Sequence, residues 1–146
     1  MRSVSASVDV ALAPAEAFDV FANEIDAWYH VDRFTVPDFT RTVAIRFEPH
    51  VGGRLLDVYD AATGAGREMG RVTAWEPGRL LAFADNRDTQ VEVRFEASEY
   101  GTRVTVEHRG LDQLPSDVAE HVRRYGWILL IAWYRDFSLQ RKEDLA

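Results

Sequence analysis

The stretch at residues 116–140 reads SDVAEHVRRYGWILLIAWYRDFSLQ and contains the longest helical pattern in the chain. Ser116 is a favourable N-cap, and Asp117 suits the positive end of a helix. Apolar side chains then recur at the i, i+4, i+7 spacing of one helix face, at Val118, Val122, Tyr125, Leu129 and Trp133. The pattern predicts one continuous helix from Ser116 to about Gln140, roughly 24 residues and ~36 Å long, which can lie across a small domain.

Upstream of this helix, seven short runs alternate apolar and polar residues with the period of two that is typical of half-buried strands. The first run covers residues 3–11, and two short helical segments follow it at residues 14–23 and 25–30. Turns rich in glycine and proline separate the other six runs, at residues 42–47, 54–59, 68–75, 80–84, 91–95 and 103–108. This order predicts an α+β fold in which a seven-stranded curved antiparallel sheet packs against the C-terminal helix.

Length and composition indicate a globular chain. Of its 146 residues, 47% are hydrophobic and 28% are charged, so we expect residues 1–146 to form one domain with a single core. The formal charge of -7 repels phosphate backbones and anionic membranes, which argues against a nucleic-acid partner and against membrane insertion. The chain has no cysteine and no apolar leader segment, so we expect it to work in the cytoplasm.

Five short motifs, in this order of elements, carry a resemblance to a known family. They are PAEAFDVF at residues 14–21, GGRL at 52–55, GRVTAWEP at 70–77, TRVTVEHRG at 102–110 and GW at 126–127. The chain resembles the heat-shock-protein-90 ATPase activator homologue branch of the START-like (SRPBCC) superfamily. The resemblance implies a helix-grip fold, as in lipid-transfer domains and pollen-allergen relatives, with a cavity between the sheet and the last helix. It implies no single activity.

Within that fold, aromatic and polar side chains on the elements around the cavity are candidates for ligand contact. Such a mixture suits a flat, mostly apolar ligand that a few polar groups orient. The alternative is that these side chains only fill the core. The candidate ligand-binding residues are Trp28, Tyr59, Trp75, His108, His121, Tyr125, Leu129 and Trp133.

Catalytic candidates are few, because the sequence contains no nucleotide, metal or hydrolase motif, and we expect no cofactor and no metal. His108 and Asp57 are the weak candidates for a general acid or base. His108 should point inward from its strand, and the alternative is a histidine that is hydrogen-bonded in the core. Asp57 faces the cavity if Leu55 and Tyr59 do, and it is solvated if the other face of its strand points inward.

The run at residues 127–134 is apolar on every side of the predicted helix, so more than one surface must cover it. Either the N-terminal helices and loops pack over it, or part of it forms a homodimer interface. The candidate interface residues are Trp127, Leu130, Ile131 and Tyr134.

These observations favour a protein that binds a small hydrophobic or aromatic molecule in the cavity, for sequestration, transport or sensing. One alternative is a cyclase- or hydrolase-type enzyme acting in the same cavity. The other is a co-chaperone-like domain with a chaperone as its partner. The aromatic segment at residues 28–38 is the candidate gate of the cavity.

Overall fold

The computed structural model describes residues 3–85 and 88–145, and in these ranges it confirms the predicted α+β architecture. Seven strands form one antiparallel sheet in the order β1-β7-β6-β5-β4-β3-β2. The strands are β1 (Ser3–Val10), β2 (Ala44–Phe47), β3 (Arg54–Val58), β4 (Gly66–Glu76), β5 (Leu80–Asp85), β6 (Gln90–Ser98) and β7 (Gly101–Arg109). The helices are α1 (Pro14–Asn23), α2 (Ile25–Trp28), α3 (Ser116–Tyr125) and α4 (Trp127–Leu145), with a short 3-10 helix at Leu111–Gln113.

Strands β2 to β7 follow each other as an antiparallel meander. Strand β1 pairs with β7, so β1 and β2 form the two edges of the sheet. The pairing runs from Ser3 opposite Arg109 to Val10 opposite Thr102. Alternate residues of β7, from Thr102 to His108, are buried and therefore face the helices. The period-two pattern of the sequence thus placed the inner face of this strand correctly.

The C-terminal helix is not continuous, and the prediction of one unbroken helix was wrong at Gly126. Gly126 has an extended backbone with φ −93 and ψ −162, and its carbonyl accepts hydrogen bonds from the amides of Leu129 at 2.9 Å and Leu130 at 3.2 Å that begin α4. A side chain at position 126 would place its Cβ 2.2 Å from the carbonyl oxygen of Val122. Glycine therefore permits the break. Ser116 is also not the N-cap, because Pro115 occupies that position.

Helix α4 packs directly on β1 and β7. Helices α1 and α2 pack beside it, and five buried side chains join these elements. The ring of Phe21 lies 5.0 Å from that of Trp28 and 4.9 Å from that of Tyr134. The Tyr134 hydroxyl donates to the Ala17 carbonyl at 2.9 Å, so α4 is bound directly to α1. We call these residues the aromatic cluster: Phe18, Phe21, Trp28, Phe95 and Tyr134. It fills the space between sheet and helix on one side of the fold.

The candidate dimer interface is buried inside the chain, so that residue-level prediction was wrong. Trp127, Leu130, Ile131 and Tyr134 are 7%, 3%, 3% and 0% exposed. The N-terminal helices and the loop after α2 pack against Trp127 and Tyr134, as in the alternative that the sequence left open, and the sheet adds Phe83 against Trp127. None of the helices in the described ranges combines the length and apolar character that a membrane crossing requires.

Candidate functional site

A partly open cavity of about 370 Å³ lies beside the aromatic cluster, where the α3–α4 junction faces the sheet. The segment between α2 and β2 forms one wall, with Tyr29, Arg33, Phe34, Thr35, Val36 and Pro37. The sheet contributes Leu55, Arg67, Met69, Asp85 and His108. The helices contribute His121, Val122, Gly126, Trp127 and Leu130. The loop, the sheet and the helices therefore converge on this space.

The lining is amphipathic. Leu55 and Met69 from the sheet meet Val122, Trp127 and Leu130 from the helices, and all five are buried. The break at Gly126 matters here, because it marks the point where the chain enters α4 with the indole of Trp127 turned inward. That indole packs edge-on against Phe83 at 5.0 Å and so forms a fixed apolar wall.

Two of the predicted residues, His108 and His121, are brought together at the cavity. His108 is 2% exposed, and its Nε2 lies 2.7 Å from the hydroxyl of Thr89 in a buried hydrogen bond. His121 is exposed on α3. Their positions allow both imidazoles to contact a bound molecule, while the bond to Thr89 fixes the orientation of the His108 ring.

Asp57 is fully buried beneath the cavity, so the solvated alternative for this residue was wrong. Its Oδ1 accepts a hydrogen bond from the Thr42 hydroxyl at 2.5 Å, and its Oδ2 lies 3.8 Å from Nε of Arg67. Arg67 stands directly opposite Asp57 in the β3–β4 pairing and lines the cavity. A carboxylate removed from water needs such a cation nearby, because burial of an unpaired charge is very unfavourable.

The segment at residues 29–37, which lies within the candidate gate, forms a compact loop over the cavity. Oδ1 of Asp32 accepts a hydrogen bond from the Phe34 amide at 2.7 Å, and the Thr35 hydroxyl donates to the His30 carbonyl at 2.8 Å. Burial first, and then the charge of Asp57, raises the pKa of the Tyr29 phenol well above its usual range. The Tyr29 hydroxyl donates to the Thr35 carbonyl at 3.5 Å within the same loop.

Several predicted ligand-binding residues lie outside this cavity. Trp28 belongs to the aromatic cluster, and Trp75 packs edge-on against Phe18 at 5.2 Å. Trp133 stacks on the His30 ring at 4.1 Å, and Leu129 is 39% exposed on α4. The side chain of Tyr125 lies outside the described residues.

Tyr59 is half-buried just beyond the end of β3, with the Arg41 guanidinium 4.3 Å from its ring centre. Its hydroxyl lies 3.5 Å from Oδ2 of Asp38. Partial burial, followed by the charges of Asp57 and Asp38, raises its pKa, and Arg67 opposes that shift. Tyr59 thus lies near the Asp57–Arg67 pair and is not a wall of the cavity.

Most of the lining residues were not among the predicted ligand-binding residues. Arg67 is the charged one for which a sequence signal existed. If Asp57 faces inward, it needs a counterion, and the next strand along the hairpin begins with a single basic residue at position 67. The pairing then shifts, because Leu55 is opposite Gly70 and Leu56 is opposite Glu68, which leaves Met69 in a bulge. Among the described residues, no group of three or more histidine, aspartate or glutamate side chains could hold a metal ion.

Comparison with known proteins identifies the family. The family model described as "Activator of Hsp90 ATPase homolog 1-like protein" matches residues 12–131. A search of curated protein sequences gave no match.

Solved structures share the fold at low sequence identity. The solution structure of the Aha1 dimer from Colwellia psychrerythraea is 14% identical, with a TM-score of 0.65, and the match covers 93% of this chain and 95% of that one. An AHSA1-like protein from Aeromonas hydrophila is 19% identical, with a TM-score of 0.65 and coverage of 92% and 90%. A protein of unknown function from Staphylococcus aureus is 13% identical, with a TM-score of 0.67 and coverage of 97% and 95%. With its seven-stranded sheet packed on a C-terminal helix and this family match over most of its length, the chain belongs to the Activator of Hsp90 ATPase homolog 1-like family of the SRPBCC helix-grip superfamily.

Proposed function

We propose that this chain, acting as one domain, binds a small and mainly apolar ligand in the cavity at the α3–α4 junction. The observation that carries the proposal is the uneven filling of the space between sheet and helices. The aromatic cluster fills one side, whereas a volume of about 370 Å³ stays open on the other. This volume lies near the lower end of the ~300–1,000 Å³ range of small-molecule sites, so it suits a compact ligand.

The lining also has the composition of a ligand site. Buried apolar side chains such as Trp127 and Leu130 form the walls, and a few polar groups converge from other directions. The Tyr29 hydroxyl donates to the Thr35 carbonyl within the loop and keeps its oxygen as an acceptor, and His108 is held by Thr89. Such a site orients an apolar molecule through a small number of hydrogen bonds.

A thermal-shift screen tests the proposal, with fatty acids, flavonoids, sterols and polyketide-like aromatic molecules as probes. A ligand present at a hundred times its dissociation constant stabilises the fold by about 2.7 kcal/mol. Val122→Phe adds a ring to the cavity wall, so this variant should lose the shift. Arg123→Phe is the matched control, because Arg123 is the next residue and is exposed. A shift that is equal in the wild type and Val122→Phe would contradict this location, and the absence of any shift would contradict ligand binding.

The loop at residues 29–37 is the proposed gate, because it forms one wall and carries an exposed Phe34. Ligand binding should slow the amide hydrogen exchange of this segment relative to the amides of β6. Unchanged exchange in the loop, measured with a bound probe from the screen, would rule out gating by this segment.

An enzyme acting in the same cavity is the second candidate, since His108 and His121 both reach the cavity. A histidine general base must lie within hydrogen-bond reach of its substrate, and His121, which is exposed and lines the cavity, is the freer of the two because Nε2 of the buried His108 is bonded to Thr89. If a probe from the screen is turned over, His108→Ala should reduce the rate. Turnover that is unchanged in His108→Ala and Asp57→Ala would exclude these residues as its catalysts.

A further inference from the structure

We infer that the cavity selects ligands that carry a carboxylate, with Arg67 as the group that binds it and the buried Asp57 as the residue that positions Arg67. The inference rests on the proposed function, because it names the class of ligand for the same cavity. The sequence alone predicted only an apolar or aromatic ligand. The structure adds a cation in the wall of that site.

Asp57 is fully buried, with 0% of its surface exposed. The Thr42 hydroxyl satisfies Oδ1, but Oδ2 has no hydrogen-bond partner in the described part of the chain. The Arg67 guanidinium, with its Nε 3.8 Å from Oδ2, is the charge that compensates this oxygen. Because a buried carboxylate strongly attracts a nearby cation, Asp57 holds the guanidinium at the floor of the cavity.

Arg67 keeps hydrogen-bond donors that do not face Asp57. A guanidinium has five N–H groups in a fixed planar fork. Its Nε, the nitrogen nearest to Asp57, is buried, whereas the side chain as a whole keeps 31% of its surface exposed and lines the cavity. The Tyr59 hydroxyl interacts with the Arg67 side chain, and we assign the remaining N–H groups of Nη1 and Nη2 to a ligand. A carboxylate matches this geometry with two parallel hydrogen bonds.

Other charged residues also line the cavity. Arg33 adds a second cation at the mouth of the cavity, next to Phe34, whose ring centre is 4.8 Å away. Asp85 is the carboxylate among the described lining residues, and it already takes part in an interaction within the protein. With Asp57 close to Arg67 and Asp85 in the wall, a dianionic phosphate would meet more repulsion than a monoanionic carboxylate. The charges thus favour one negative charge on the ligand.

The apolar part of the cavity lining limits what the rest of the ligand can be. Opposite the polar floor, Leu55, Met69, Val122 and Leu130 form buried apolar walls. A ligand that satisfies both regions is a compact amphiphile, with a hydrocarbon or aromatic body and one carboxylate. The volume of about 370 Å³ limits the size of that body.

The experiment compares decanoate with decan-1-ol, two probes that share a chain and differ in the charged group, by isothermal titration calorimetry. The wild type should bind decanoate about ten- to a hundredfold more tightly, the range that charge-assisted hydrogen bonds supply. The double variant Asp57→Asn/Arg67→Gln removes both charges of the pair together, which avoids a buried charge without its counterion. This variant should bind the two probes equally and keep its affinity for decan-1-ol.

Two further variants separate positioning from a general structural effect. Arg67→Lys keeps the charge but loses the planar fork, so it should retain only part of the preference for decanoate. Arg71→Gln is the matched control, because Arg71 lies on the same strand, is exposed and pairs with Glu68 outside the cavity. It should behave as the wild type does.

The outcomes distinguish this inference from the proposed function. Equal affinity of the wild type for both probes would overturn the carboxylate preference and leave ligand binding supported. A preference that survives in the double variant would overturn the roles of Asp57 and Arg67. Binding of neither probe would overturn the inference and the proposed cavity function together.

Discussion

Replacement of Gly126 by alanine should destabilise the protein, because the break between α3 and α4 depends on this position. The added Cβ would lie 2.2 Å from the carbonyl oxygen of Val122 and 3.2 Å from its carbonyl carbon. Real Cβ contacts below 3.0 Å are essentially never observed, so the backbone of α3 or α4 must move. Movement of packed backbone to admit one extra carbon costs about 1–3 kcal/mol.

An opposing effect is smaller. Alanine favours a helix over glycine by about 1 kcal/mol, but position 126 gains this only if its extended backbone becomes helical. A continuous helix advances by about 100° per residue, so closure of the break would turn Trp127 away from Phe83 and disrupt the wall of the cavity. The clash therefore outweighs the gain in helix propensity.

Urea denaturation measures the result. With a slope of about 2 kcal/mol per molar urea for a protein of this size, the midpoint for Gly126→Ala should fall by roughly 0.5–1.5 M. Arg124→Ala is the matched control, since Arg124 is exposed on α3, and its stability should stay within about 0.5 kcal/mol of the wild type. An unchanged or higher midpoint for Gly126→Ala would refute the reasoning, because it would show that the break accepts a side chain at no cost.

Two further predictions concern α4. Tyr134→Phe removes the hydroxyl that donates to Ala17 and should lower stability by about 1 kcal/mol at neutral pH. Burial raises the folded pKa of Tyr134, so the protonated phenol stabilises the fold fully below the unfolded pKa of about 10, and that contribution is lost as the pH rises above it. As the pH rises from neutral to alkaline, the urea midpoint should therefore fall less for Tyr134→Phe than for the wild type. An equal fall in the two proteins would contradict this assignment. Ile131→Ala should lower the free energy of unfolding by about 2–5 kcal/mol, because Ile131 is 3% exposed in the core; a change of oligomeric state on size-exclusion chromatography without loss of stability would instead make Ile131 an interface residue.

Most of the fold could be predicted from the sequence because its elements carry strong local periodicity. In β7, alternate residues from Thr102 to His108 face the core, as a period of two requires. Strand β3 resisted the same reasoning, since Leu55, Leu56, Asp57 and Val58 are all buried and no face is marked as the inner one. Parity left the orientation of Asp57 undecided, and its burial against Thr42 and Arg67 became visible only in the structure.

Gly126 indicated a possible break in the helix, but the apolar periodicity around it indicated a continuous helix more strongly. Gly126 lies within a stripe of apolar residues whose spacing fits a helix, and a single glycine in a helix costs only about 1 kcal/mol. What decides the break is tertiary: the extended backbone at Gly126 is followed by Trp127 in the cavity wall. Propensity and periodicity do not contain this information.

The location of the cavity could be predicted only in part. His108, His121 and the loop at residues 29–37 lie at the cavity, whereas Trp28 and Trp75 pack into the interior. A sequence pattern shows that an aromatic side chain is inward-facing, but the way neighbouring rings pack decides which part of the interior stays empty. The indole of Trp28 is fixed by hydrogen bonds to the carbonyls of Val20 and Phe21, each at 3.2 Å. The periodicity of the sequence does not show these contacts between α2 and α1.

The placement of the Asp57–Arg67 pair is hard to explain by stability. Replacement of a buried ion pair by well-packed apolar residues is often neutral or stabilising, and in this pair the carboxylate is removed from water whereas the arginine side chain is 31% exposed. Here the carboxylate is fully buried, and its Oδ2 and the Nε of Arg67 lack hydrogen-bond partners among the described residues. The aromatic cluster already joins the helices to the sheet without any charge. A requirement for stability would therefore favour an apolar residue at position 57, whereas a requirement to present a cation to the amphipathic cavity accounts for both the arginine and the carboxylate beside it.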